Sequence, residues 1–229
     1  MRFLCLCPTY GRRPELVWNA IWCFKQQARD DDAYLCLIDD LGTIDATDAP
    51  SDMIVVQTGS RVPTLPQKYL LGFLECSDLD FDAVAIWDDD DLYFPHHLLN
   101  HSKALEHGPF SKPSTIYSTY TGTIQPESAA GRFWGSCAMR REVFEANLSK
   151  SSKCSYDQES IANFERLGMI DPCLYGPPQY VYRWGETSAA HASGYGSDDW
   201  YTNAKPQHRE SFRLKAVADT ACRRWYPAS

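Results

Sequence analysis

The chain has 229 residues, a mass of 26.0 kDa and a formal net charge of −8. That length suits one domain with a full core, and the apolar fraction of 44% and charged fraction of 23% are ordinary for a soluble globular protein. No stretch is long and apolar enough to cross a bilayer, which predicts no stable membrane insertion, and the apolar part of the first eight residues is too short for a secretion signal.

The elements are predicted in chain order from apolar periodicity. Phe3 to Cys7 reads as a strand broken at Pro8, followed by a helix over Pro14 to Gln27 in which Leu16, Ala20, Cys23 and Phe24 recur at helical spacing. Tyr34 to Ile38 reads as a second strand ending in Asp39-Asp40, and Met53 to Gln57 as a third. A helix over Pro66 to Cys76, a strand over Ala83 to Trp87 and a helix from Pro95 to about His107 follow. This is an α/β alternation, and it implies a mostly parallel sheet flanked by helices. Beyond Ser114 come short β-prone pieces (114–120, then 135–139), helices near Arg141 to Asn147 and Gln158 to Leu167, and a loop over 185–196 rich in Gly, Ser and Ala.

Nine cysteines are scattered without a C-x-x-C pair or zinc-type spacing, and Cys5, Cys7, Cys23 and Cys36 fall inside predicted elements. That pattern predicts a reduced, cytoplasmic protein without a disulfide framework. Between Lys205 and Arg224 there are six basic and two acidic residues, so an acidic body carries a basic C-terminal segment. Such a segment fits either a polyanionic partner or a solvated helix lying against its own acidic body.

The most informative feature is Asp88-Asp89-Asp90-Asp91, which directly follows the apolar run Ala83 to Trp87. Asp is a poor strand residue, so the acids belong at the carboxyl end of a strand, where open α/β sheets hold their ligands. Two carboxylates about 6 Å apart repel by roughly 0.7 kcal/mol in water and nearer ~3 kcal/mol at an effective dielectric of 20. Such a cluster needs a cation, a proton or open solvent, and a hard divalent ion shared with substrate phosphates is a common solution. The bland alternative is a solvated acidic turn.

Three separated segments together resemble the family 2 glycosyltransferases. Cys7-Pro8-Thr9-Tyr10-Gly11-Arg12 with Leu37-Ile38-Asp39-Asp40 looks like the family's P-T-Y-N-R opening and its strand ending in paired aspartates. Lys68-Tyr69-Leu70-Leu71-Gly72, then Trp87 to Pro95 and Leu98, is similar to its lysine-bearing helix and D-x-D-D segment. Tyr156-Asp157-Gln158-Glu159, with Gly168 downstream, resembles E-D-x-E followed by a helix and glycine. Gly11, Leu70 and Tyr156 depart from the family's usual residues. The resemblance implies a GT-A fold: a Rossmann-like central sheet with a smaller mixed sheet on the acceptor side. It divides the chain into one domain over 1–204, with a nucleotide-binding half (1–110) and an acceptor half (111–204), and the basic segment 205–229.

The same resemblance implies an inverting transfer of sugar from a nucleotide diphosphate, UDP above all, with Mn²⁺ or Mg²⁺ stabilising the departing diphosphate. Asp90 and Asp88 would form the D-x-D pair at the metal, Asp90 as the direct ligand and Asp88 in contact with the ribose or with the metal's outer sphere, and His191 would complete the metal shell, contact the diphosphate or remain a solvated loop histidine. Asp157 would be the general base, with an N-cap as its alternative role. Pro8, Thr9, Tyr10, Arg13, Asp39, Lys68, Asp88 and Asp89 would bind the nucleotide. Asp39 would read the nucleobase, and Arg13 and Lys68 would contact phosphate oxygens. Asp91, Trp134, Gly135 and Glu159 would face the acceptor; Asp91 could instead cap the next helix, and Trp134 could instead sit in the core. The acceptor is left open between a glycan, a small molecule and a hydroxymethylated base of viral DNA. Competing readings are a sugar-nucleotide-forming nucleotidyltransferase, which lacks its glycine-rich loop here, and a non-catalytic divalent-cation module, which lacks EF-hand spacing at Asp88 to Tyr93.

Overall fold

The computed structural model describes residues 1–9, 14–28, 31–47, 49–119, 124–148 and 156–183, without the side chains of residues 14, 15 and 156–158. Tyr10, Arg13, His191 and the basic segment 205–229 lie outside the described residues. The elements run β1 (Phe3–Thr9), α1 (Pro14–Lys25), β2 (Ala33–Asp39), β3 (Met53–Gln57), α2 (Leu65–Glu75), β4 (Ala83–Ile86), β5 (Leu92–Tyr93), α3 (His97–Leu105), β6 (Phe110–Ser111), β7 (Thr115–Ser118), β8 (Gln125–Ser128), β9 (Ala138–Arg140), α4 (Arg141–Leu148), α5 (Tyr156–Glu165), β10 (Met169–Ile170) and β11 (Tyr180–Tyr182).

The larger sheet has the order β10-β6-β9-β4-β1-β2-β3, with β4, β1, β2 and β3 parallel and β9 antiparallel to both neighbours. A smaller mixed sheet has the order β5-β11-β7-β8. This is the predicted architecture: a mostly parallel sheet with a second, mixed one. Side-chain alternation divides the core into two layers. Phe3, Cys5 and Cys7 of β1 pack with Val17, Ala20 and Phe24 of α1, whereas Leu4 and Leu6 pack with Tyr69 and Phe73 of α2, Phe144 of α4 and Phe164 of α5. Gly72 lets α2 approach β2 closely, since a Cβ there would stand 2.6 Å from Ile38 Cδ1. No helix among the described residues is long and apolar enough to cross a membrane.

Three local expectations are corrected. Strand β1 is not broken at Pro8 but runs to Thr9, in register Pro8↔Ile38 and Thr9↔Asp39. The Leu6 carbonyl faces β4 by accepting from Trp87 N (3.0 Å), so the Pro8 nitrogen faces that side too, and the β4 pairing ends at Leu6↔Ile86. The missing N–H therefore leaves no acceptor unmatched. Helix α3 begins at His97 rather than Pro95, after a turn closed by His97 N–H to Phe94 O (3.0 Å). Finally, Trp134–Ser136 forms a 3₁₀ turn, not the start of a strand, and β9 begins only at Ala138.

Candidate functional site

Because β1, β2 and β4 are parallel, Thr9, Asp39-Asp40 and Trp87 to Asp91 meet at one carboxyl edge of the sheet. This edge is where an open α/β sheet receives ligands. The four aspartates there occupy distinct environments. Asp89, Asp90 and Asp91 are buried, whereas Asp88 is half-buried and the most exposed of the run.

Asp89 Oδ2 accepts from Thr9 Oγ1 at 2.9 Å, which ties the β4 tip to the end of β1. Lys68, 1% exposed, reaches the same place from α2: its Nζ lies 2.8 Å from Asp40 Oδ1 and donates to Thr9 O at 2.5 Å. Burial pushes the Lys68 ammonium below its ordinary range, against the pull of Asp40 and, after it, Asp89 and Asp39. Lys68 is thus a buried counter-cation for the acidic strand tips, and it does not face solvent as a diphosphate contact would.

Asp91 is wholly inside. Oδ2 accepts from Tyr180 Oη and Oδ1 from Arg183 N–H (2.9 Å), so it neither caps α3 nor faces an acceptor. Burial, and then the neighbouring Asp90, push its carboxyl up to about 8, against the Tyr180 and Arg183 hydrogen bonds. Arg183 Nε also donates to Asp90 O, and its buried Nη2 has no hydrogen-bond partner. Burial, reinforced by Asp89 and Asp88, raises the Cys7 thiol beneath them well above its usual range.

Asp88 is held from two sides. Its N–H donates to Tyr93 Oη (2.6 Å), and Tyr93 donates to Gly135 O (3.2 Å). Gly135 lies directly against the Asp88 carboxylate: a Cβ there would stand 2.9 Å from both Asp88 Cγ and Tyr180 Oη, and closer still to Asp88 Oδ2. Gly135 therefore makes room for Asp88, where the sequence had placed it in the acceptor pocket.

The other expected site residues divide. Asp39 is wholly buried, and its carboxylate accepts from Leu41 N–H (3.2 Å), Thr43 N–H, Thr43 Oγ1 (3.2 Å) and Ile44 N–H (2.8 Å). It organises its own loop and does not present itself to a nucleobase. Trp134 is a core residue, stacked on Phe164 of α5 with centroids 5.6 Å apart and planes at 14°. Pro8 is half-buried at the edge beside Thr9, and Glu159 is exposed on α5. Helix α5 begins at Tyr156, so Asp157 lies in its first turn and not at the N-cap. Sequence reasoning missed Arg183, Tyr93, Tyr180 and the pairing of Asp40 with Lys68. The only signal available was the alternation Tyr180-Val181-Tyr182-Arg183, an aromatic strand ending in a cation.

Hard carboxylate oxygens on a half-exposed Asp88, held in a cradle that a Cβ would fill, fit Mn²⁺ or Mg²⁺. Among the described residues no three His, Cys, Asp or Glu side chains converge as a metal site. Among those residues, the protein side of such a site is thus one or two carboxylates, His191 lying outside the described residues.

No protein-family model matches the sequence, and neither does any curated protein. Solved structures do. S. aureus TarS 1-349 in complex with UDP aligns with a TM-score of 0.62 at 13% identity, over 80% of this chain and 60% of that one. The same protein with UDP-GlcNAc gives 0.58 at 12% identity, over 80% and 58%. Mannosyltransferase PcManGT from Pyrobaculum calidifontis, in complex with GDP-Man and Mn²⁺, gives 0.55 at 15% identity, over 96% and 75%. The chain thus spans about 60% of the TarS 1-349 length. What these likenesses show is the fold.

Proposed function

The chain has the GT-A fold, and we propose that it is an inverting glycosyltransferase that moves a sugar from a nucleoside diphosphate, with UDP first among the candidates, to an acceptor hydroxyl. The observation that carries this reading is the acidic edge of the parallel sheet, where Asp89 and Asp91 are tied inward and Asp88 is the most exposed of the four. The structural neighbours add that this architecture accommodates UDP, UDP-GlcNAc and GDP-Man with Mn²⁺ in other proteins. The transferase domain extends over 1–204, and its acceptor is a glycan or small molecule; a DNA base depends on the basic segment 205–229.

Asp88 and Asp90 would hold Mn²⁺ or Mg²⁺, which when bound offsets the negative charge developing on the diphosphate. Arg183, whose Nη2 lacks a partner, offers a further donor at the same edge. The acceptor oxygen attacks the anomeric carbon as the bond from that carbon to the diphosphate breaks, and the hydroxyl proton passes to the Asp157 carboxylate. The nucleoside diphosphate leaves as the anion. Lys68 acts indirectly by fixing Thr9 and the acids around it.

The test is calorimetry with UDP, GDP and dTDP, with and without Mn²⁺, followed by donor hydrolysis. Metal-dependent nucleotide binding is expected, and Asp157→Asn should keep that binding while losing about 10²- to 10⁴-fold in transfer. Metal binding that ignores nucleotide would replace the transferase with a cation-binding module. Transfer surviving in Asp157→Asn would remove the base assignment.

A further inference from the structure

The antiparallel pairing of β4 with β9 runs Ala83↔Arg140, Val84↔Met139 and Ala85↔Ala138. Ile86 N–H still reaches Cys137 O at 3.0 Å. Extended by two residues, the same register places Asp88 opposite Gly135, where the next rung would be Asp88 N–H to Gly135 O. That bond is not made directly. The Tyr93 hydroxyl occupies the rung, accepting from Asp88 N–H (2.6 Å) and donating to Gly135 O (3.2 Å).

Tyr93 is locked where it stands. Its ring stacks on Trp87 with centroids 3.7 Å apart and planes at 13°, and meets His97 and Tyr180 edge-on at 4.9 and 5.3 Å. Trp87 is itself anchored by Nε1–H to Ala20 O (3.3 Å). The inserted phenol holds the two backbones apart at the point where the strand turns out of the sheet. The absent side chain at 135 then supplies the space into which the Asp88 carboxylate falls. Neither contact alone would fix that carboxylate: the hydroxyl sets its backbone and the glycine sets its side-chain volume.

We propose that Tyr93 and Gly135 are positioning residues which, through an inserted hydroxyl rung, aim the Asp88 carboxylate at a divalent cation shared with the donor diphosphate. The assignment rests on the metal-assisted donor binding proposed above and deepens it. Neither residue touches the reacting atoms. Tyr93→Phe keeps the ring stack and removes only the rung, while Gly135→Ala keeps the rung and crowds the carboxylate. Residues that orient a metal ligand typically govern about 10- to 100-fold in metal affinity.

The experiment measures Mn²⁺ affinity in saturating UDP by calorimetry for the full chain, Tyr93→Phe, Gly135→Ala and the double variant, with UDP affinity in EDTA as the structural readout. Each single variant is expected to weaken Mn²⁺ about 10- to 100-fold with metal-free UDP affinity unchanged. The double variant should lose little more than either single, because both act through one carboxylate. Parallel loss of metal-free UDP binding in both variants would reduce the effect to general unfolding and overturn the assignment. So would an unchanged Mn²⁺ affinity in folded Tyr93→Phe, or full additivity in the double variant. Absence of Mn²⁺-dependent UDP binding in the unmodified chain would overturn the proposed function first, and this assignment with it.

Discussion

Replacing Lys68 by methionine tests whether the acidic edge is built around a buried cation. Lys68 and Asp40 have side chains 2% and 0% exposed and lie 2.8 Å apart, and Lys68 Nζ also donates to Thr9 O. Methionine matches the stem but removes the charge, leaving Asp40 buried with Val62 N–H (3.2 Å) as a remaining donor. Breaking a buried pair by deleting one partner costs about 3–5 kcal/mol. For a domain of this size that is a fall in Tm of roughly 6–20 °C. Adding Asp40→Asn removes the stranded charge, so the double variant should recover most of the loss, with a coupling of at least about 2 kcal/mol. Asp40→Asn alone should cost less than Lys68→Met, because an ammonium already pushed down by burial can shed its proton. Here the unfolded chain holds the proton longer than the folded one, so stability of that variant should rise as pH climbs toward 10.5. Urea unfolding without metal or nucleotide measures all three variants. A loss below about 1 kcal/mol for Lys68→Met, or strict additivity, would refute the buried-pair account.

Burial pushes the His101 imidazole down to about 3 from its ordinary 6.5, against a Ser136 backbone hydrogen bond. The unfolded chain therefore takes up a proton below pH 6.5 that the folded chain refuses; stability is full above that pH and falls by about 2 kcal/mol at pH 5. Urea midpoints at pH 7 and pH 5 for the unmodified protein and His101→Asn check this, the variant showing the smaller difference. Gln27 brackets three elements: Nε2 donates to Cys23 O (3.0 Å) and Phe94 O (2.9 Å), and Oε1 accepts from Leu98 N–H (3.1 Å). Gln27→Leu should cost about 1–3 kcal/mol in the same assay, since it strands the buried Leu98 N–H at the start of α3.

The parallel half of the sheet was legible in the sequence because its strands are apolar runs bounded by acids or polar residues, and its helices carry apolar residues at helical spacing. The two-residue strands Leu92–Tyr93, Phe110–Ser111 and Met169–Ile170 were not, since two residues hold no periodicity and depend on distant partners. The acid run was legible as a site, but the orientation of each acid was not. Those orientations are set by Tyr180 and Arg183, 89 and 92 residues beyond Asp91, and by Gly135 across the sheet from Asp88. Asp39 misled for a related reason. An aspartate at a strand tip reads the same whether it meets a ligand or four donors of its own loop.

Four adjacent carboxylates would be a poor site if all were charged and equivalent, and the structure makes them neither. Burial pushes the Asp91 carboxyl up to about 8, and its two oxygens are taken up by Tyr180 Oη and Arg183 N–H. Asp89 shares the Lys68 cation with Asp40 and is bonded to Thr9. The repulsion of roughly 3 kcal/mol per pair expected of unscreened neighbours at intermediate dielectric is thereby removed from the inward-facing members. On the proposed metal-assisted reading the cation would then fall to Asp88, the most exposed of the run, and Asp90. Two carboxylates with a diphosphate give a divalent ion enough negative charge while leaving it coordination positions for substrate. On the proposed reading, the inward ties of Asp89 and Asp91 would favour a metal–diphosphate pair over a bare cation, because they leave two carboxylates rather than four to the ion.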